Sequence, residues 1–323
     1  MTILFSFSPV IAAPICPSHV QELLMSGNIK KVLVQPSNTR IFSNEEYCKV
    51  GAIVQEDLSE ANIVLGIKTT SQHQMLENKT LLLFAHVIKG NNIPFLIHAL
   101  NDNIRFVDYE CITAAGSSNQ RLVAFGEHAG MAGMIDILQG LGQQLLLSGI
   151  DGTSYSTPFL CCPRAYMHRN IDDALTSVTG VGNDISASSH ATPPLIFAFT
   201  GKGHVTQGAL RVFQKLPVRW IATKEELKQI ASRTSGSEHC SHVYGYMVKP
   251  DDTYALKDEG LEQNLVFDNS HYRSEPFKYK SIFSQTIAPY INVLINGAYW
   301  DERYPRILTK KQINELYRQG KNR

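Results

Sequence analysis

Short apolar runs of strand length alternate with segments of helical periodicity through the first half of the chain, and that alternation leaves few folds open. The runs are VLVQ at 32–35, IVLGI at 63–67, LLLFA at 81–85 and FVDY at 106–109. Residues 44–50, 58–61 and 93–101 carry the spacing of short helices between them. Strands that return in the same direction need crossover helices, so this order predicts a parallel sheet covered by helices. Residues 127–147 form the longest helical pattern, with Met131, Met134, Ile135, Leu138, Leu141 and Leu145 recurring at helical spacing. Gly130 and Gly133 lower helix propensity there, which predicts either close packing against another backbone or a frayed start.

The composition then shifts. Residues 149–192 are rich in Ser, Thr, Gly, Asp and Asn, with one helical pattern at 165–178, and read as an interdomain helix and linker. Beyond them, residues 193–209 read PPLIFAFTGKGHVTQGA: an apolar run, a Gly-x-Gly break at Gly201 and Gly203, then residues suited to a helix. Strand, glycine turn and helix in that order let backbone N–H groups approach a pyrophosphate with no Cβ in the way. The third glycine of the usual spacing is replaced by Thr206 and the next is Gly208, so a plain strand–helix turn without ligand also fits. A helix at 208–216 and a strand VRWI at 218–221 would continue a nucleotide-binding unit. Residues 234–280 are polar with few periodic signals and read as surface loops with a helix. An apolar run at 291–296 and an amphipathic segment at 310–319 close the chain.

These patterns predict an α/β protein of two doubly wound parallel-sheet, Rossmann-like domains with a cleft between them. The expected boundaries are 1–148 for a substrate domain, 149–192 for the linker and 193–323 for a nucleotide-binding domain. At 323 residues, 43% hydrophobic and 18% charged, the chain can bury two ordinary cores. A formal charge of +1 supplies no long-range field for nucleic acid or an anionic membrane. The six cysteines contain no C-x-x-C pair, which fits free thiols in a reducing compartment. His239, Cys240 and His242 lack a second ligand pair at zinc spacing and read as a loop without metal. Residues 1–13 are apolar, yet no Lys or Arg precedes Lys30, so neither a signal peptide nor a transit peptide is recognisable. That stretch is also shorter than a membrane-spanning helix requires. It reads as a buried strand or a spliced start.

Each early strand ends on or beside a polar residue: Gln35, Lys68, His86 and Glu110. In a parallel α/β sheet the carboxyl ends of the strands open on one edge, where ligands bind. A lysine, a histidine and a carboxylate meeting there can do acid–base work near neutral pH. The plainer reading is that strand ends are polar because they emerge into solvent.

The strings KVLVQPSN, QEDLSEANIVLGIK, FAHVIK, RFVDYE, RLVAFGEHAGMAGMIDIL, FAFTGKGHVTQGA and IAPYINVLINGAYW occur in order over most of the chain. In these it resembles the lysine-ketoglutarate reductase part of the α-aminoadipic semialdehyde synthases. The wider relatives are fungal-type saccharopine dehydrogenase, alanine dehydrogenase and the amino-terminal part of transhydrogenase. The resemblance implies condensation of the ε-amine of L-lysine with 2-oxoglutarate and reduction of the imine by NADPH, giving saccharopine. It carries the family's catalytic lysine onto Lys68 and its catalytic histidine onto His86. It makes Lys89, Glu110 and Arg121 substrate-binding residues, and Gly201, Gly203 and Gly208 the cofactor turn. The animal family is mitochondrial, with the cytoplasm as the alternative for a chain lacking a recognisable transit peptide. No nucleic acid, membrane or metal is implied, and homo-oligomerisation stays open.

Cofactor choice has one separate clue. NAD sites usually place an acidic residue about 20 positions after the glycine turn, whereas the corresponding strand here ends Ala222-Thr223-Lys224. Lys224 would tolerate a 2′-phosphate, which leans toward NADP, although Glu225 and Glu226 follow directly.

The chain also departs from the family pattern. Relatives begin with a strand and an arginine-bearing segment before the Pro-x-x-Pro matched to Pro14–Pro17, and Ile11-Ala12 stands in that place here. Relatives also continue past WDERYPRILTKKQ into a further strand. The resemblance therefore implies a chain shortened at both ends. Three functions follow: a saccharopine-forming reductase, an impaired form that keeps nucleotide binding or partners the full enzyme, and an alanine-dehydrogenase-like oxo-acid reductase.

Overall fold

The computed structural model describes residues 2–5, 12–68, 77–89, 92–116, 121–147, 156–187, 193–233, 241–257 and 267–319. The chain divides into two compact units, Met1–Ala124 and Phe125–Arg323.

Unit 1 runs β1 (Thr2–Phe5), α1 (Pro17–Met25), β2 (Lys31–Val34), α2 (Asn44–Lys49), β3 (Ile53–Val54), β4 (Ile63–Lys68), β5 (Thr80–Phe84), α3 (Ile93–Asn101) and β6 (Arg105–Asp108). The strands form one parallel sheet in the order β3-β2-β1-β4-β5-β6. The apolar start of the chain thus supplies the strand that pairs with both β2 and β4. Side chains alternate between the two faces of β2: Val32 and Val34 join Val20, Ile29 and Tyr47 in one core, while Leu33 joins Val64, Leu81, Leu83 and Phe95 in the other. Both faces are therefore buried, as a doubly wound parallel sheet requires. Helix α2 begins on a reciprocal cap, in which Ser43 Oγ accepts from the Glu46 N–H and Glu46 Oε2 accepts from the Ser43 N–H. Residues 58–61 form a turn and not the expected helix, since only Leu58 and Ala61 face the core.

Unit 2 runs α4 (Gly126–Leu147), α5 (Ser156–Leu160), α6 (Ile171–Ala187), β7 (Ile196–Thr200), α7 (His204–Phe213), β8 (Val218–Ile221), α8 (Lys224–Ala231), β9 (Val243–Met247), α9 (Pro250–Thr253), β10 (Tyr254–Leu256), α10 (Asn269–Ser274), β11 (Tyr279–Ser281), α11 (Phe283–Thr286), β12 (Val293–Asn296) and α12 (Lys310–Arg318). Four strands form a parallel sheet in the order β12-β7-β9-β8, and β10 pairs antiparallel with β11. All five residues of β7 are buried, as expected of a central parallel strand.

The unit boundary falls before α4, not at the expected residue 148. The reason is packing: a Cβ at Gly130 would collide with the Val205 carbonyl, and one at Gly208 with the Glu127 carbonyl, so α4 and α7 touch backbone to backbone. Gly133 faces open space instead. Helix α6 occupies 171–187, later than the expected 165–178, and buries Val178, Val181 and Ile185 in the unit's core, so the stretch expected to be a linker is partly structural. The expected loops at 234–280 contain a strand, β9, which lies between β7 and β8. VRWI at 218–221 is therefore not the neighbour of β7. His239 and Cys240 lie outside the described residues.

Candidate functional site

The carboxyl edge of the unit 1 sheet gathers the residues expected to do chemistry. Strand order reverses between β1 and β4, and Lys68 is the last residue of β4. Its Cα pairs with that of Phe84 after a register shift that follows Leu65, so Lys68 and His86 emerge from adjacent strands at the same edge. Lys68 is exposed.

His86 follows β5 with φ +56°, a left-handed conformation that a non-glycine residue adopts at a cost of about 1 kcal/mol or more. Such strain persists only where the surroundings hold it in place. Asn92 helps do so by donating from Nδ2 to the Ala85 carbonyl at 3.2 Å. Lys89 ends the short 3-10 turn Val87–Lys89 directly after His86.

Glu110 joins the site from β6. Asp108 caps a one-turn 3-10 helix, Tyr109–Cys111, by accepting the Glu110 N–H at 3.0 Å, and this turn presents the Glu110 side chain. The Glu110 side chain is 7% exposed and uses both oxygens: Oε2 lies 3.0 Å from His86 Nδ1, and Oε1 accepts from Arg121 Nη1 at 3.1 Å. Arg121 is brought back by an antiparallel bridge to Thr113 and by the Leu122 N–H donating to the Ile112 carbonyl. Beside a carboxylate anchored by a guanidinium, the imidazole tautomer with its hydrogen on Nδ1 can donate to Glu110 and keeps the lone pair on Nε2.

Asp108 was not foreseen. Its Oδ2 is buried and has no hydrogen-bond partner among the described residues. Its position two residues before Glu110, at a strand's carboxyl end, is the only sequence signal it gives. Tyr109 packs edge-on against Phe84 at 5.0 Å, and burial pushes its hydroxyl up to about 12.

The glycine turn of unit 2 follows β7 directly. Gly201 has φ +79°, and a Cβ there would come within 2.8 Å of the Gly297 backbone after β12. Thr206, standing where a third glycine was expected, donates Oγ1 to the Thr200 carbonyl at 2.9 Å and so ties α7 to the turn. Gly203 caps α7 with no side chain, its missing Cβ opens onto free space, and the first amides of the helix receive no side-chain cap. A cradle of that kind fits a pyrophosphate. A cavity of about 560 Å³ adjoins it, lined among others by Lys202, Tyr254, Arg273 and Tyr299.

The remaining cofactor candidates stand elsewhere. Gly208 lies against α4, where close helix packing accounts for it. Lys224 donates to buried Asp252 at 2.9 Å, and that hydrogen bond holds its ammonium above the ordinary lysine value. Tyr246 donates to the other oxygen of Asp252 at 2.9 Å. The pairing of Lys224 with Asp252 spans 28 residues and leaves no local trace in the sequence. Among the described residues no cluster of His, Cys, Asp and Glu could hold a metal ion, and no helix is long and apolar enough to cross a membrane.

Residues 12–132 match the alanine dehydrogenase/PNT N-terminal domain. Across 308 residues the chain is 37% identical to the rat protein "Alpha-aminoadipic semialdehyde synthase, mitochondrial", covering 94% of this chain and 31% of the relative. The Arabidopsis thaliana alpha-aminoadipic semialdehyde synthase is 35% identical over 323 residues, covering 95% and 29%. The chain thus spans about a third of the length of the curated relatives it matches. A solved L-alanine dehydrogenase superposes over 100% of this chain and 72% of its own, with a TM-score of 0.53 at 12% identity, a likeness of fold.

Proposed function

We propose that this chain is a lysine-ketoglutarate reductase, which condenses the ε-amine of L-lysine with the ketone of 2-oxoglutarate and reduces the resulting imine with NADPH to saccharopine. The observation that carries this reading is the Glu110 carboxylate, shared between His86 and Arg121 on the sheet edge that also bears Lys68. The relatives' names support the pathway, and the empty face of Gly203 supports a nucleotide.

The chemistry sets what each residue must do. The amine attacks the ketone carbon only when neutral, and the carbinolamine oxygen leaves as water only after it is protonated. His86 Nε2, freed by the Glu110 contact at Nδ1, and Lys68 are the groups that exchange those protons. Arg121 keeps guanidinium donors beyond the one given to Glu110, and these with Lys89 bind the substrate carboxylates. Gly201 and Gly203 would hold the pyrophosphate of the cofactor at the start of α7. NADPH supplies the hydride. The balance is one lysine, one 2-oxoglutarate, one NADPH and one proton giving saccharopine, NADP⁺ and water.

The decisive test follows NADPH oxidation by residues 1–323 with both substrates and with each omitted. Oxidation dependent on both supports the reading. Oxidation with an oxo acid and ammonia but no lysine would move the chain to the alanine-dehydrogenase type. Nucleotide binding without turnover would leave it a nucleotide-binding relative. The rat, mouse and cattle relatives are named mitochondrial, and we assign this chain the same compartment, to be checked by fractionation of the native protein.

A further inference from the structure

The order of strands in unit 2 changes which residue can read the nucleotide's ribose. Counting about 20 residues past the glycine turn leads to the end of β8 and to Lys224. The sheet, however, runs β12-β7-β9-β8, so β8 is two strands from β7. Strands lie about 4.8 Å apart, which sets β8 about 10 Å from the strand that carries the turn. The strand hydrogen-bonded to β7 on that side is β9, with Phe199 paired to Met247. A ribose attached to a pyrophosphate at Gly203 would therefore reach this neighbour before β8.

The chain leaves β9 as Val248-Lys249-Pro250, and Val248 and Pro250 both line the cavity beside the glycine turn. Lys249 stands between them in the chain, exposed and outside the cavity's own lining, and its ammonium makes no hydrogen bond or ion pair among the described residues. Its backbone is fixed, because its carbonyl accepts both the Asp252 N–H and the Thr253 Oγ1 at 3.1 Å. Among the described residues no Asp or Glu side chain lines this cavity, while Lys202 and Arg273 do. A site for an unphosphorylated ribose would need an acid to accept its hydroxyls; this lining suits an anion.

Lys224 sits in the opposite environment. It is bound to Asp252, and Glu225 and Asp251 also act on it, so its charge is already spent on carboxylates. Asp251 is exposed at the start of α9, two residues beyond Lys249, and is the carboxylate a phosphate there must tolerate.

We propose that Lys249, and not Lys224, reads the 2′-phosphate of the nucleotide and so selects NADPH over NADH. This rests on the reading that unit 2 binds a nicotinamide nucleotide. The test is titration calorimetry of the full chain with NADPH and with NADH, for the wild type and for Lys249→Ala, Lys249→Arg, Lys224→Ala and Arg273→Ala. Lys249→Ala should weaken NADPH binding roughly 10- to 100-fold, the scale of a lost charge-assisted hydrogen bond, and change NADH binding by less than about twofold. Lys249→Arg should retain the preference, and Lys224→Ala should lower the unfolding temperature while leaving the ratio of the two affinities intact. An unchanged ratio in Lys249→Ala, or a ratio that collapses only in Lys224→Ala or Arg273→Ala, overturns the assignment. A wild type that binds both nucleotides equally overturns it too, yet keeps the nucleotide reading, whereas binding of neither removes both.

Discussion

Glu110 Oε2 lies 3.0 Å from Nδ1 of His86, and the glutamate that makes this contact is itself buried and anchored by Arg121. A carboxylate so held fixes the imidazole's tautomer and orientation. Glu110→Gln keeps the shape but replaces one acceptor oxygen with an NH₂ donor, so the side chain no longer enforces a hydrogen on Nδ1. The expected result is a fall in kcat of about 100-fold or more, with KM for NADPH nearly unchanged. Steady-state kinetics across pH check it, and a wild-type kcat would remove Glu110 from the site.

Lys68 and His86 are expected to act on protons directly. Lys68→Met and His86→Gln should each lower kcat by roughly 100-fold or more, the usual scale for a lost acid or base. Because Lys68 is exposed, Lys68→Met should shift folding stability by no more than about 0.5 kcal/mol. Paired kinetic and thermal-melting measurements separate this from misfolding, and near-normal rates in either variant would refute its role.

The placement of Lys68, His86 and Glu110 was legible because the rule that links them is local. Each sits at the end of an apolar run, and a parallel sheet puts all such ends on one edge. Helix α3 was equally plain, its apolar spacing being read along the chain. What lay hidden was non-local. That β9 inserts between β7 and β8 depends on which strands pair, and its VYGYM sequence carries no alternation because it is buried on both faces. The pairing of Lys224 was hidden for the same reason: its partner Asp252 is brought near only by the fold. Gly130 is a middle case. Its cost within a helix was visible, but the Val205 carbonyl that requires it was not.

Two glycines near the turn should respond in opposite ways. Gly208→Ala forces a Cβ into the Glu127 carbonyl and should destabilise unit 2 by roughly 1–3 kcal/mol or more, seen as a fall of several degrees in Tm. Gly203→Ala meets no atom within 4 Å, so Tm should hold while nucleotide affinity drops, because the new methyl occupies the space a phosphate needs. Equal loss of stability in both would contradict the assignment of Gly203 to the ligand.

The Lys224–Asp252 pair predicts a pH dependence. The hydrogen bond to Asp252 raises the lysine above its ordinary value of 10.5, so the folded state holds the proton more tightly than the unfolded one. The pair's contribution is therefore complete below pH 10.5 and declines as pH rises through the higher folded value. Lys224→Met leaves Asp252, 6% exposed, with Tyr246 as its remaining side-chain donor, and should cost about 1–3 kcal/mol at neutral pH. Denaturant unfolding at pH 7 and at successive values above 10.5 should show the gap between wild type and variant narrowing as the lysine loses its proton. A gap that stays constant through that range would mean that the ion pair does not supply the stability assigned to it here.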